Sequence, residues 1–205
     1  MIIIDLEMSG LDSRKCGIVE IGAIELENPS NTFNELARID DDEIVLNEPT
    51  ATKTVFQVLG KTEEDLRDKK QQTQKELLEH FFEWVNKINE KIFVAQNLLD
   101  LEYLISKSKK NGLPRVHYRY LDLQTIAQTK YLELNKKLLL NNGWSAMGLS
   151  KIATFCGLKD ERKEHTGIED AKFEAEMLNR ILFGKNLLNE YSKFEIPNYL
   201  KSGEL

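Results

Sequence analysis

The sequence predicts an α/β protein: a central mixed sheet of five strands, containing a three-strand antiparallel meander, with helices on both faces. Three observations carry that expectation. The first forty residues hold three strand-like runs separated by short polar stretches. Residues 73–134 then switch between helical and strand periodicity, the pattern of βαβ units. No repeat, low-complexity block or linker interrupts the chain, and 205 residues at 41% hydrophobic suit one compact unit. The reading places a single domain over residues 1–185, followed by a tail, 186–205, that contains Pro197 and Gly203.

Each element follows from its local pattern. "MIIIDL" (1–6) opens the chain as a buried strand. In "IVEIGAIELE" (18–27), Val19, Ile21, Ala23 and Glu25 share one face and Ile18, Glu20, Gly22 and Ile24 the other. "TFNELARI" (32–39) is the third strand, with "NPSN" as the turn before it. Residues 40–70 are acidic, then polar, with weak periodicity, which predicts irregular structure with short helices. "TQKELLEHFFEWVNKIN" (73–89) sets Leu77, Leu78, Phe81, Phe82, Val85 and Ile88 on one side of a helix. "KIFVA" (91–95) is a short buried strand, and "LLDLEYLISKSKKNG" (98–112) a helix stopped by Asn111-Gly112 and Pro114. "RVHYRYLDL" (115–123) reads as the fifth strand. "LQTIAQTKYLEL" (123–134), "GLSKIATFCG" (148–157) and "IEDAKFEAEMLNRILFG" (168–184) read as helices.

Composition narrows the class. Cys16 and Cys156 have no paired spacing, which points to reduced thiols and a cytoplasmic location. No leader pattern occurs, and no apolar run approaches the ~20 residues a bilayer span needs, so no membrane association is expected. A net charge of −6 is not that of a general polyanion coat. One segment departs from it. "LISKSKKNGLPRVHYRY" holds Lys107, Lys109, Lys110, Arg115 and Arg119 and no acid. It is either a solvated helix end and turn or a patch for a polyanion.

The chemistry-bearing residues fall in three places. Asp5 and Glu7 are one strand period apart, so both point to the same face. They are either a solvated strand end or the holders of a cation. The turn "SGLD" follows them, and open α/β sheets bind ligands outside their strand ends. Asp100 comes shortly after the strand 91–95, as a helix N-terminal acid or as part of a site. Thr166 and Glu169 have capping-box spacing, which puts His165 just outside a helix and Asp170 in its first turn. A loop histidine beside a carboxylate suits proton abstraction near a metal; a surface histidine beside an ordinary cap is the plainer reading.

Taken together, "DLEMSGLD", "AQNLLDLEYL" and "HTGIEDA" resemble, in order and rough spacing, the three exonuclease motifs of the DEDDh superfamily. That group includes the proofreading epsilon subunit of bacterial DNA polymerase III, RNase T and oligoribonuclease. Asp5, Glu7, Ser9, Gly10, Leu11 and Asp12 match the first motif, and His165, Asp170 and Ala171 the third. "GWSAMGLSKIATFCGL" is similar to the stretch that precedes the third motif, and the resemblance covers roughly residues 1–183. The middle motif departs. The family's Asn-x-x-Phe-Asp becomes Asn97-Leu98-Leu99-Asp100, one residue short and without the Phe, although Tyr103 and Leu104 follow as expected. Gln96 stands where the family usually has His.

The resemblance implies an RNase H-like fold and metal-dependent 3′–5′ hydrolysis of DNA or RNA from a single-stranded 3′ end, releasing nucleoside 5′-monophosphates. Four crowded carboxylates, Asp5, Glu7, Asp100 and Asp170, would repel one another, and two divalent ions offset that repulsion. Oxygen ligands favour Mg²⁺ or Mn²⁺. By resemblance, Asp5, Glu7 and Asp170 hold the first ion and Asp5 with Asp100 the second, while His165 takes the proton of the attacking water. Met8, Ser9, Gly10, Leu11 and Asn97 are expected around the terminal nucleotide, and Lys107, Lys109 and Arg115 at phosphates further along. The shortened middle motif leaves one alternative, a catalytically weak nucleic-acid-binding or scaffold protein on the same fold. Among other candidates, Trp144 could stack on a base but reads more simply as a packed loop residue. Asp122 reads as a helix cap, "DDDE" (40–43) as a solvated loop, and His80 and His117 as structural or surface groups.

Overall fold

Each core strand owes its place to apolar side chains on alternating faces. In the computed structural model, which describes residues 1–46, 55–114, 116, 117, 119–162 and 166–201, the order begins with β1 (Ile2–Met8), β2 (Ile18–Glu25) and β3 (Asn28–Leu36). Two short helices follow, α1 (Val55–Leu59) and α2 (Glu63–Leu66), then α3 (Gln74–Asn86), β4 (Phe93–Ala95), α4 (Leu98–Lys110) and β5 (Leu121–Asp122). The rest is α5 (Leu123–Asn135), a small hairpin of β6 (Leu140–Asn141) and β7 (Trp144–Ser145), α6 (Leu149–Phe155) and α7 (Gly167–Phe183). The main sheet has the order β3-β2-β1-β4-β5, antiparallel through the meander and parallel from β1 to β5. β1 is therefore central. Its Ile2, Ile4 and Leu6 join the core beneath α3 and α4, while Ile3 joins the core beneath α5, α6 and α7. Each fully buried aliphatic of this kind contributes about 1.5–3 kcal/mol.

The helices begin where their caps say. Thr73 and Glu76 form a capping box on α3, Asn97 caps α4, Asp122 caps α5 and Thr166 caps α7. Gly112, just past α4, has φ +66, as a helix-terminating glycine should.

Three local expectations need correction. The turn before β3 is Leu26-Glu27 rather than "NPSN"; Asn28 to Asn31 already belong to β3. Pro29 is tolerated there because β3 is an edge strand with no outer ladder to complete. The strand expected over 115–123 shrinks to Leu121–Asp122, paired only with Val94 and Ala95. β4 is itself only three residues long, and Asp122 is already committed to capping α5. Finally, the β6–β7 hairpin was not anticipated, although Asn142-Gly143 at its tip, both with positive φ, is a strong two-residue turn signal.

Beyond α7 the chain folds back. Arg180, wholly buried, pairs with Glu176 at 2.7 Å and donates to the carbonyls of Cys156, Tyr191 and Phe194. Glu176 accepts the backbone N–H groups of Leu187 and Leu188. This buried pair pins residues 187–194 against the core.

Candidate active site

β1 presents Asp5 and Glu7 on the side that faces α7, as strand alternation requires. Asp170, in the first turn of α7, completes a group whose ligand atoms all lie within 4.8 Å of one another. The helix reaches that close because two glycines clear its path. A methyl group on Gly22 would lie 1.9 Å from the Gly167 carbonyl carbon and 2.1 Å from the Ile168 nitrogen. A methyl on Gly167 would meet the Gly22 nitrogen at 2.8 Å and the Asp5 carbonyl at 3.2 Å. Gly22 is the β2 residue directly opposite Asp5. Glu20, opposite Glu7, accepts the Gly167 N–H at 3.1 Å and so anchors the positive end of α7.

Asp100 arrives from the opposite layer. It is 5% exposed, and its Oδ1 accepts the Leu6 N–H at 3.1 Å, between the two acids of β1. The residue missing from the middle motif is absorbed at Gln96 and Asn97: Asn97 Oδ1 takes the Leu99 N–H, and α4 starts with Asp100 turned inward. The shortening that motivated a catalytically weak alternative does not rotate this acid away. Glu174 stands one turn beyond Asp170 on α7. It is 2% exposed, the Gln96 N–H favours its charged form, and its Oε2 has no hydrogen-bond partner among the described residues.

Crowding shapes the electrostatics. Burial first, then the charges of Glu174, Asp100, Glu7 and Asp170, raise the Asp5 carboxyl well above its usual range. Burial and Asp170 push Glu7 up to about 8. Burial pushes Asp100 up to about 6, with the Leu6 N–H opposing it. Arg162 supplies a counter-charge. Its guanidinium binds Asp160 at 2.7 Å, also bonds Asp170, and lies 4.2 Å over the Phe173 ring. An all-oxygen donor set that resists ionising alone fits a hard divalent cation.

An exonuclease family model of the RNase T type matches residues 2–178. The chain belongs to that exonuclease family. No curated protein sequence matches it. Among solved structures, this RNase T-family chain is similar to Escherichia coli exonuclease I in complex with a dT13 oligonucleotide: 13% identity, TM-score 0.68, covering 88% of this chain and 40% of that one. The same protein with a dA16 oligonucleotide gives 12% identity and a TM-score of 0.64 over 94% and 41%. Its zinc-bound complex with single-stranded DNA gives 13% and 0.64 over 86% and 39%. The chain thus spans about two-fifths of the length of these exonuclease I chains, and the likeness is one of fold, the RNase H-like arrangement of a mixed sheet between helical layers.

Beyond the acids, the candidate residues divide. Leu11 is 57% exposed at the turn after β1, beside a half-buried Met8. Ser9 is wholly buried. Its hydroxyl donates to Ile44 and accepts the Gly17 N–H, and its own N–H and carbonyl bond Gly17 and Leu46. Gly10 is also buried; its carbonyl accepts from Tyr103, and a methyl there would strike Cys16 Sγ at 2.6 Å. Ser9 and Gly10 therefore hold the turn in shape. Asn97 spends its side-chain oxygen on capping but lines a groove of about 670 Å³ with Leu98, Leu99, Glu102, Gln128 and Ser145.

Lys107 requires the largest correction. It is 1% exposed, with its ammonium 2.5 Å from Glu43, so no phosphate can reach it. Lys110 bridges Asp40, Asp42 and Glu43. Lys107 and Lys110 of the basic run and the "DDDE" loop, read separately from the sequence, pair with each other across the fold. Lys109 is exposed, but nine residues along α4 from Asp100, about 13 Å by helical rise. Arg115 and His165 lie outside the described residues. Trp144 is 81% exposed on β7, next to the groove residue Ser145, which overturns its reading as a packed loop residue. The sequence reading missed Glu20, Lys61, Arg162 and Glu174. The charge of Lys61 opposes the raised proton affinity of both Glu7 and Glu20. For Glu174 a signal existed: an acid at i+4 from Asp170, on a helix face otherwise filled by Met177, Leu178 and Ile181.

Proposed function

We propose that this exonuclease-family chain is a metal-dependent 3′–5′ exonuclease that removes nucleoside 5′-monophosphates from single-stranded DNA or RNA. The observation that carries the reading is the meeting of Asp5, Glu7 and Asp170 within 4.8 Å, with Asp100 tied to the Leu6 N–H between the first two. The complexes of E. coli exonuclease I with single-stranded oligonucleotides support the substrate class. Asp5, Glu7 and Asp170 would hold one Mg²⁺ or Mn²⁺, and Asp5 with Asp100 a second. Bound there, the two ions supply Lewis acidity at the scissile phosphate and screen its charge.

The remaining steps belong to the chain's own groups. His165 takes a proton from the attacking water. Leu11 packs on the terminal base or sugar. Lys61, the cation felt by Glu7 and Glu20, meets the nearest backbone phosphate in place of the buried Lys107. Trp144 offers a stacking face to a base further along the groove. The test is hydrolysis of 3′-labelled and 5′-labelled single strands of DNA and RNA in Mg²⁺ or Mn²⁺. Labelled mononucleotide should appear at once from the 3′ label and only at the end from the 5′ label. Asp5→Ala and His165→Ala should each slow release by orders of magnitude. No release from any strand with either metal would overturn the proposal.

A further inference from the structure

Glu174 has no place in the three motifs, yet it is the charge most strongly felt by Asp5 after burial itself. Its charge acts against those of Asp5, Asp100 and Asp170, with Arg162 opposing them. That guanidinium is already shared between Asp160 and Asp170. A carboxylate buried without a counter-charge is severely destabilising, and a buried oxygen without a hydrogen-bond partner adds to the cost. An apolar side chain of similar size would pack in the same space at no such cost. A buried oxygen left unpartnered, one helical turn from Asp170 and within the field of the other acids, is a candidate ligand atom for a cation.

We propose that Glu174 is a fifth carboxylate of the metal centre, its Oε2 binding a divalent cation directly or through one ordered water on the Asp5–Asp100 side. The Gln96 N–H favours the charged carboxylate, and Oε2 is left without a partner. Glu20 stands outside this group, tied to the Gly167 N–H and opposed by Lys61. The inference rests on the reading of this site as metal-dependent.

The test is Mn²⁺ binding to the full chain, followed by the loss of the free-ion paramagnetic resonance signal. Wild type is compared with Glu174→Gln, Glu174→Asp and Glu174→Leu, each checked for folding by its melting curve. Wild type should bind two ions. Glu174→Gln and Glu174→Leu should weaken one of the two by roughly 10–100-fold, melt higher than wild type in EDTA, and gain less melting temperature from Mn²⁺. Glu174→Asp should restore part of the affinity. Wild-type affinity for both ions in Glu174→Gln or in Glu174→Leu would overturn this inference and leave the nuclease reading standing. Wild type that binds no Mn²⁺ would overturn both.

Discussion

A glutamate that titrates at about 8 makes the folded chain sensitive to protons and to cations alike. Unfolded, Glu7 titrates near 4.5, so between those two values the folded state holds a proton that the unfolded state has released. Stability without metal therefore falls as pH rises through that window. Asp100, raised to about 6, acts in the same direction over the lower part of it. In EDTA the melting temperature should drop between pH 5 and pH 8, and Mg²⁺ should flatten that slope, because a cation then does the proton's work. Calorimetric melts at both pH values, with and without Mg²⁺, check this; a melting temperature that climbs with pH in EDTA would count against the crowded-acid account. Asp5, Glu7 and Asp170 were legible in the sequence because strand period and cap spacing are local rules. Lys107 was misread because its partner, Glu43, lies in another element, and no local rule reports an ion pair between segments.

At the scale of elements, the close seat of α7 on β2 decides whether the site exists. Gly22→Ala forces backbone against backbone, where nothing flexible can yield. It should cost at least ~1–3 kcal/mol of stability and, by displacing Asp170, lower kcat by about 100-fold. Melts and single-turnover rates measure the two effects separately. The hairpin makes the opposite prediction. Trp144→Ala removes a side chain that is 81% exposed, so stability should change by less than ~0.5 kcal/mol. Affinity for a dozen-nucleotide strand should fall by ~1–3 kcal/mol, with cleavage of a dinucleotide unchanged; titration of labelled strands of both lengths checks it. Helices with caps and amphipathic faces were readable in sequence to within about three residues, the largest miss being the end of α3 at Asn86. The short strands were not, since two-residue ladders such as β5 exist only because a partner lies beside them.

Across the whole molecule, the buried Arg180–Glu176 pair joins α7 to the segment that follows it. Arg180→Leu leaves Glu176 buried and unpaired, at a cost of about 3–5 kcal/mol, which for a chain of this size lowers the melting temperature by roughly 10 °C. Adding Glu176→Leu should recover most of the loss, and comparison of the single and double variants by calorimetry decides it. That segment had read as a plain tail because its anchor is a charged pair inside a helix, where composition suggests a solvated face. The glycine notch at Gly22 and Gly167 has one more consequence, for the chain while it is being made. Asp5 and Glu7 leave the ribosome early and Asp170 late, and synthesis at about 5–20 residues per second separates them by many seconds. Until α7 slots against β2, the nascent chain holds only scattered acids with no common grip on a cation, so the cation-holding group is assembled last.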